Sequence, residues 1–172
     1  MLSGLPQTAD LYRLAMAGES HAGRVKQSVF KRLVSSSQGA ERWVDVSLQF
    51  GKEQGVHYLR GSLAGEFVVV CQRCMEPMRL FVDARLSFGF VRNKEEESRL
   101  PEQFEPLWVE EAETDLLAVI EDELLLAMPM VALHPPAECP VRIESTVVND
   151  EQAESDRATP FSVLAALTRD KH

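Results

Sequence analysis

The chain has 172 residues, of which 45% are hydrophobic, and carries a net charge of −9. This length and this hydrophobic content are typical of one globular domain with a substantial core. An acidic protein is a poor candidate for binding nucleic acid over its whole surface, because phosphate contacts need Lys and Arg. The sequence shows neither a signal-peptide pattern at its N-terminus nor an apolar run as long as a membrane span, so we expect a cytoplasmic protein.

The charge is distributed unevenly along the chain. Residues 1–92 carry 12 Lys and Arg against 8 Asp and Glu, whereas residues 93–172 carry 6 against 19. Part of the basic charge lies in one short stretch that contains Arg24, Lys26, Lys31 and Arg32. Two interpretations of this stretch are open: a solvated helix face, or a patch that contacts RNA or a protein partner.

The first forty residues predict two helices. Thr8 is a candidate N-cap for a short helix that begins near Asp10 and ends at Gly18. Apolar residues with a period near 3.6 predict a second helix from about residue 22 to residue 35. The apolar face of this second helix would consist of Val25, Val29, Phe30 and Leu33.

The pattern changes to a period of two from about residue 42 to residue 92, which predicts β-strands. We place four strands at 43–50, 56–64, 65–70 and 79–91, with a short additional strand at 107–109 and a charged, solvated loop at 93–106. Short strands linked by turns favour an antiparallel sheet or a small barrel. With the helices that flank it, the sheet predicts an α+β fold.

A later helix is predicted near residues 116–128, with Asp115 as its N-cap and Pro129 at its end. Its acidic run Glu121-Asp122-Glu123 occupies three consecutive positions, which point in different directions around a helix. We therefore interpret this run as a solvated helix face rather than as a carboxylate pair for acid–base chemistry.

The C-terminal part of the chain has a different composition. Residues 144–158 are rich in acidic residues, lack an apolar period and predict a flexible linker. Thr159 and Pro160 then predict the start of a short helix over 159–168, whose apolar side includes Phe161 and Leu164. That side would dock on the protein's own domain, taken as residues 1–143, or bind a partner.

All three cysteines lie in two half-sites, Cys71-Gln72-Arg73-Cys74 and the segment from His134 to Cys139. Three thiolates and one imidazole form a complete tetrahedral donor set for zinc, and the neighbouring Arg73 helps to lower the thiol pKa values. In a reducing cytoplasm, a CxxC motif indicates metal or redox chemistry rather than a structural disulfide. The sequence therefore predicts a zinc site at Cys71, Cys74, His134 and Cys139.

Two alternatives to zinc stay open for these residues. The cysteines could simply pack in the core or remain free, with His134 as a loop residue. A thioredoxin-like redox role is less favoured, because that motif normally opens a helix in a parallel βαβ unit, whereas this one follows an antiparallel pattern. The chain has no phosphate-binding loop, no nucleophile elbow and no aromatic RNA-recognition signature, and we expect that it is not an enzyme.

Several segments resemble the YceD family, the large ribosomal RNA subunit accumulation proteins, in the same order along the chain. They are the box Cys71-Gln72-Arg73-Cys74, Phe104-Glu105-Pro106, the run of residues 115–123 (DLLAVIEDE), the segment 134–139, and the tail of residues 160–167 (PFSVLAAL). The resemblance implies a role in 23S rRNA accumulation and in biogenesis of the large ribosomal subunit in bacteria. It implies neither an enzymatic activity nor an established ligand.

Two mechanisms follow from that implied role. In the first, the basic stretch from Arg24 to Arg32 binds pre-23S rRNA or a large-subunit assembly intermediate directly. In the second, the chain is an adaptor without RNA contact, which binds a ribosomal protein or a ribonuclease through the acidic linker and the C-terminal helix. Neither mechanism needs a membrane or a small-molecule substrate.

Overall fold

The computed structural model describes residues 6–34, 42–110 and 113–141. The strands in this part of the chain are β1 (Thr8–Ala9), β2 (Ser20–Lys26), β3 (Trp43–Glu53), β4 (Val56–Val70), β5 (Pro77–Val91), β6 (Glu105–Trp108) and β7 (Thr114–Asp115). The helices are α1 (Leu11–Ala17), α2 (Lys31–Val34), α3 (Lys94–Ser98) and α4 (Leu116–Ala127).

Five strands form one sheet in the order β2-β3-β4-β5-β6, and β1 pairs separately with β7. Each neighbouring pair from β2 to β5 is antiparallel, whereas β6 runs parallel to β5. Among the residues that the structure describes, this order leaves β2 and β6 as free edges, so the sheet is open. The predicted α+β class with a mostly antiparallel sheet is confirmed, and of its two predicted forms the open sheet is correct and the small barrel is not.

The period-two pattern assigns the two faces of the sheet. Along β3, the side chains of Val44, Val46, Leu48 and Phe50 are buried while the residues between them are exposed. Gln54 and Gly55 both have positive φ and join the paired residues Glu53 and Val56, which makes the β3–β4 connection a two-residue hairpin. The buried face of β3 thereby continues directly into the buried face of β4.

β4 is one continuous strand, so the prediction of two strands at 56–64 and 65–70 was wrong. Gly65, where the second of these strands was predicted to begin, lies inside β4, as does Gly61. A Cβ at Gly61 would lie 2.4 Å from the backbone oxygen of Ser47. Gly61 therefore permits the close approach of β3 within the continuous strand.

The helices pack against the buried face of the sheet. Leu11 and Leu14 of α1 and Leu116, Ile120 and Leu124 of α4 join one hydrophobic core with the inward residues of the strands. Asp10, rather than the predicted Thr8, caps α1 by accepting from the Arg13 N–H at 3.0 Å. Asp115 caps α4 as predicted, by accepting from the Ala118 N–H at 3.1 Å.

The prediction of a second N-terminal helix over residues 22–35 was wrong. Residues 20–26 form β2, a 3₁₀ turn covers Gln27–Val29, and only Lys31–Val34 are α-helical. The spacing of the apolar residues matched a helix, but the free edge of β3 offers seven residues of antiparallel pairing to this segment. Non-local pairing of this kind overrides a local periodicity that is only moderately strong.

Smaller differences occur near the end of the described chain. The predicted charged loop at 93–106 contains α3, which Asn93 caps by accepting from the Glu96 N–H at 2.8 Å. The additional strand covers Glu105–Trp108, so it begins two residues and ends one residue earlier than predicted. The predicted linker at 144–158 and helix at 159–168 lie outside the described residues, and the predicted domain boundary at residue 143 stays a prediction.

None of the helices in the described part of the chain is long and apolar enough to cross a membrane.

Glu121 of α4 is buried and holds the start of α2. Its carboxylate accepts from the backbone N–H of Arg32 at 2.6 Å and from that of Leu33 at 3.2 Å, and the Arg32 guanidinium also donates to it. Burial alone would raise the pKa of Glu121, but these hydrogen bonds outweigh it and lower the pKa below its usual value. The prediction of a solvated face for residues 121–123 was therefore wrong at Glu121.

We expect Glu121→Gln to lower the free energy of unfolding by about 1–3 kcal/mol at neutral pH, since the charged acceptor of two backbone N–H groups is lost. Because the folded pKa is depressed, this contribution is present above the usual value of 4.5 and disappears as pH falls through the folded pKa. Urea denaturation over a pH series measures both effects, and parent and variant should converge in acid.

Asp122→Asn is the matched control, because Asp122 is exposed and its carboxylate pairs with the same Arg32 guanidinium, at 2.5 Å. Its effect should be smaller at every pH. An unchanged stability of Glu121→Gln at neutral pH would show that Glu121 does not hold α2.

Candidate metal centre

The turn between β4 and β5 carries the first half-site, as predicted. Cys71 and Cys74 lie between Val70, the last residue of β4, and Pro77, the first of β5. The Cys71 N–H donates to the Glu76 carbonyl at 2.9 Å, and the Met75 N–H donates to the Cys71 carbonyl at 2.8 Å. Met75 closes the turn with a φ of 62°, a conformation that is uncommon for a residue other than glycine.

The second half-site is tied to this turn by backbone hydrogen bonds. The Gln72 N–H donates to the Ala132 carbonyl at 2.8 Å, and the Gln72 side chain donates to the Met130 carbonyl at 3.1 Å. Beyond His134, the Pro135 carbonyl accepts from the N–H groups of Glu138 and Cys139. The chain that follows α4 is therefore folded back onto the turn, with His134 and Cys139 at the two ends of a tight bend.

The structure brings all four predicted donors together. The sulfur atoms of Cys71, Cys74 and Cys139 and a ring nitrogen of His134 lie within 4.8 Å of one another. Around a tetrahedral zinc ion, donor atoms stand about 3.5–3.8 Å apart. The Cys74 sulfur is already 3.3 Å from His134 Nδ1. The residues present therefore fit a zinc ion, with Nδ1 as the nearest imidazole donor and only a small adjustment of side chains.

The surroundings of the cluster favour a thiolate at Cys71. Burial by itself raises the pKa of Cys71, but the backbone N–H groups of Cys74, His134 and Arg73 donate to the sulfur and bring the pKa down to about 5. The His134 N–H lies 3.3 Å from this sulfur. Arg73 thus acts through its backbone N–H. Burial and the neighbouring thiols of Cys71 and Cys139 raise the pKa of Cys74, so the second thiol keeps its proton more readily.

The cluster is shielded from solvent only in part. Cys71 and Cys139 are buried, whereas Cys74 and His134 are half-buried. Apolar side chains stand exposed on both half-sites: Met75 at 72%, Met130 at 96% and Val131 at 56%. Sequence reasoning missed this exposed apolar surface, and it missed Gln72 as the residue that joins the two half-sites.

The other predicted binding residues are divided between two elements. Arg24 and Lys26 lie on β2, and Arg24 forms an ion pair with Asp45 at 2.6 Å. Lys31 and Arg32 lie on α2, where Arg32 forms ion pairs with Glu121 and Asp122. The four basic residues therefore do not lie on the single helix that both interpretations of this stretch assumed. Phe161 and Leu164 lie outside the described residues.

Comparison with known proteins identifies the family. The profile of a family described as "Large ribosomal RNA subunit accumulation protein YceD" matches residues 59–168, a range that contains all four donors of the cluster. The protein of that name from Haemophilus influenzae is 30% identical over 166 residues, which is 95% of each chain. No solved structure matches the chain. A match of this length, together with the family profile, shows that the chain belongs to the YceD family.

Proposed function

We propose that this chain is a non-enzymatic cytoplasmic factor that promotes accumulation of the 23S rRNA of the large ribosomal subunit. The observation that carries the proposal is the relative with that name, which aligns over 95% of both chains. An alignment of this extent covers the sheet, the helices and the cysteine cluster together. The role of the relative is therefore transferred to the whole chain rather than to one motif.

We also propose that the cluster of Cys71, Cys74, His134 and Cys139 binds one zinc ion. Four donors from two segments some sixty residues apart meet within 4.8 Å, a coincidence that packing of ordinary core cysteines does not require. The low pKa of Cys71 supplies the thiolate that zinc needs. Against a thioredoxin-like role, Cys71 and Cys74 of the CxxC motif lie in a hairpin turn and not at the start of a helix.

Zinc in this cluster would have a structural role, because it would link the two half-sites. Without an ion, the β4–β5 turn and the segment after α4 are joined by two hydrogen bonds from Gln72, one of them from an exposed side chain, and by the contacts of His134 with the sulfur atoms of Cys71 and Cys74. Coordination would add bonds from each half-site to a common ion. The exposed side chains of Met75 and Met130 would then stand on one ordered surface instead of on two independent segments.

The adaptor mechanism has one structural observation in its favour. Apolar side chains exposed beside the cluster, namely Met75, Met130, Val131 and Leu133, are the kind of surface that protein partners cover. Methionines in particular adapt to partners of different shape. A ribosomal protein or a ribonuclease bound here would give the same effect on 23S rRNA without direct RNA contact.

We expect the purified full-length chain to contain one zinc ion, and His134→Ala to contain much less, since only three donors remain. When free zinc exceeds its dissociation constant about 1,000-fold, binding should raise the free energy of unfolding by about 4 kcal/mol. Elemental analysis and thermal unfolding with and without a chelator measure the two quantities.

His21→Ala is the matched control, because His21 is a half-buried histidine that pairs with Glu19 and lies outside the cluster. It should keep its zinc and its response to the chelator. If zinc content and unfolding of the parent chain are the same before and after chelation, the cluster holds no structural zinc.

In cells that lack their own copy of this gene, the parent chain should restore the ratio of 23S to 16S rRNA, which gel electrophoresis of total RNA measures. If zinc binding is required, the double variant Cys71→Ser with Cys74→Ser should leave the ratio near that of the deletion strain. Western blotting must show comparable amounts of both proteins. A parent chain that is expressed but restores nothing would refute the proposed role itself.

A further inference from the structure

The face of the sheet that points away from the helices is open to solvent and is crossed by a shallow groove. Two adjoining depressions of about 410 Å³ and 380 Å³ form it, and they share Ser47 and Ser62 as a common floor. We call this region the open sheet face. The strand register determines which residues are neighbours on this face. It places four residues side by side across β2, β3, β4 and β5, namely Ala22, Ser47, Ser62 and Arg85.

The lining of the groove holds more arginines than carboxylates although the chain as a whole is acidic. Three arginines line it, Arg24, Arg60 and Arg85, against a single carboxylate, that of Asp45. The net charge of the chain is −9. Such a local excess of arginine complements a polyanion, because the guanidinium group donates to phosphate oxygens in a fixed fork.

The arginines are available to a ligand in different degrees. Arg85 makes no ion pair with any residue that the structure describes. Arg24 pairs with Asp45, but both side chains are more than half exposed. Replacing this carboxylate by a phosphate as the partner of Arg24 therefore costs little free energy. Arg60 lies over the rings of Tyr58 and Phe104, 4.7 Å and 5.0 Å from their centres, and donates to Glu53. These contacts hold Arg60 in place at the end of the groove.

Exposed aromatic rings stand on the same face beyond the groove. Phe81 is 68% exposed and lies opposite Glu66 in the register of β4 and β5. Trp43 is 37% exposed, and the Lys26 ammonium lies 5.4 Å from its ring centre. Phe81 is four residues from Arg85 along β5, a separation of about 14 Å. A chain of several nucleotides would span that distance.

We propose that the open sheet face binds single-stranded RNA, with Arg24, Arg60 and Arg85 on phosphates and with Trp43 and Phe81 stacked on bases. Basic grooves with aromatic platforms bind single strands in this manner. A duplex fits less well, because its bases are stacked inside and cannot reach the rings. The choice of RNA as the polyanion rests on the proposed function, whereas the location of the surface rests on the geometry.

The first test measures fluorescence anisotropy of a labelled oligouridylate of about 12 nucleotides with the full chain. Replacing Arg24→Gln and Arg85→Gln together should weaken binding at least about tenfold at low salt. It should also reduce the slope of log K against log salt by about 1.4, since each lost phosphate contact on a single strand accounts for about 0.7.

The matched control is Arg13→Gln with Lys94→Gln, which removes the same charge from exposed positions on α1 and α3. Its affinity and its salt slope should stay close to those of the parent. Equal losses in the two double variants would overturn the proposal, because only net charge would then matter.

Two variants of Phe81 test whether its aromatic ring stacks on bases. Phe81→Ala should weaken binding at least about fivefold, whereas Phe81→Tyr, which keeps a ring for stacking, should bind like the parent. Thermal unfolding should be nearly the same in all three proteins, because this ring is largely exposed. If Phe81→Ala binds the oligouridylate with the affinity of the parent, Phe81 does not stack on bases.

Two further outcomes would overturn the proposal. In the first, the full chain binds no oligouridylate at low salt. In the second, sedimentation shows a dimer that the Arg24 and Arg85 replacements dissociate, so that the open sheet face is an interface between two copies of the chain. Measurement of the 23S to 16S rRNA ratio separates this result from the proposed function. If the chain restores the ratio but does not bind RNA, the proposal of RNA binding by the open sheet face is refuted and the proposed function is not.

Discussion

The pairing of β4 with β5 is the constraint on which the rest of this molecule depends. It runs without interruption from Tyr58 opposite Gly89 to Val70 opposite Pro77. Because side chains alternate between the faces of a sheet, this one register decides which residues enter the core and which face solvent. It also places the CxxC motif at the tip of the hairpin. If a strand were shifted by one residue in this register, its inward and outward side chains would exchange faces. Arg60 of β4 or Arg85 of β5 would then point toward α1 and α4.

Local patterns predicted those parts of the fold in which neighbouring residues decide the outcome. The alternation along β3 and β5 reflects one buried face and one exposed face. The Asp115 side chain caps α4 by accepting from the N–H of Ala118, only three residues further along the chain. The segment 22–35 behaved differently. Its apolar spacing suited a helix, yet the edge of β3 provides backbone partners that no pattern within the segment reveals. Glu121 was misjudged for a related reason, because the N–H groups that it accepts from belong to α2, 88 residues away along the chain.

The candidate metal site was accessible from sequence because its chemistry is confined to rare residue types. Only three cysteines occur, and all of them lie in the two half-sites. What the sequence could not reveal is how the halves meet: the Gln72 N–H and the Ala132 carbonyl carry no side-chain signature. The open sheet face was also hidden. Phe81 and Trp43 were counted among the residues of strands, and a hydrophobic residue in a strand does not by itself show which face it occupies.

An acidic protein with one basic face can bind RNA without holding it tightly. Phosphate contacts to three arginines give an affinity that depends on salt, while the excess of carboxylates elsewhere repels the remainder of a long polyanion. Net charge is a poor guide to such contacts, because the charges nearest to the groove matter most, and its lining holds three arginines against one carboxylate although the chain total is negative.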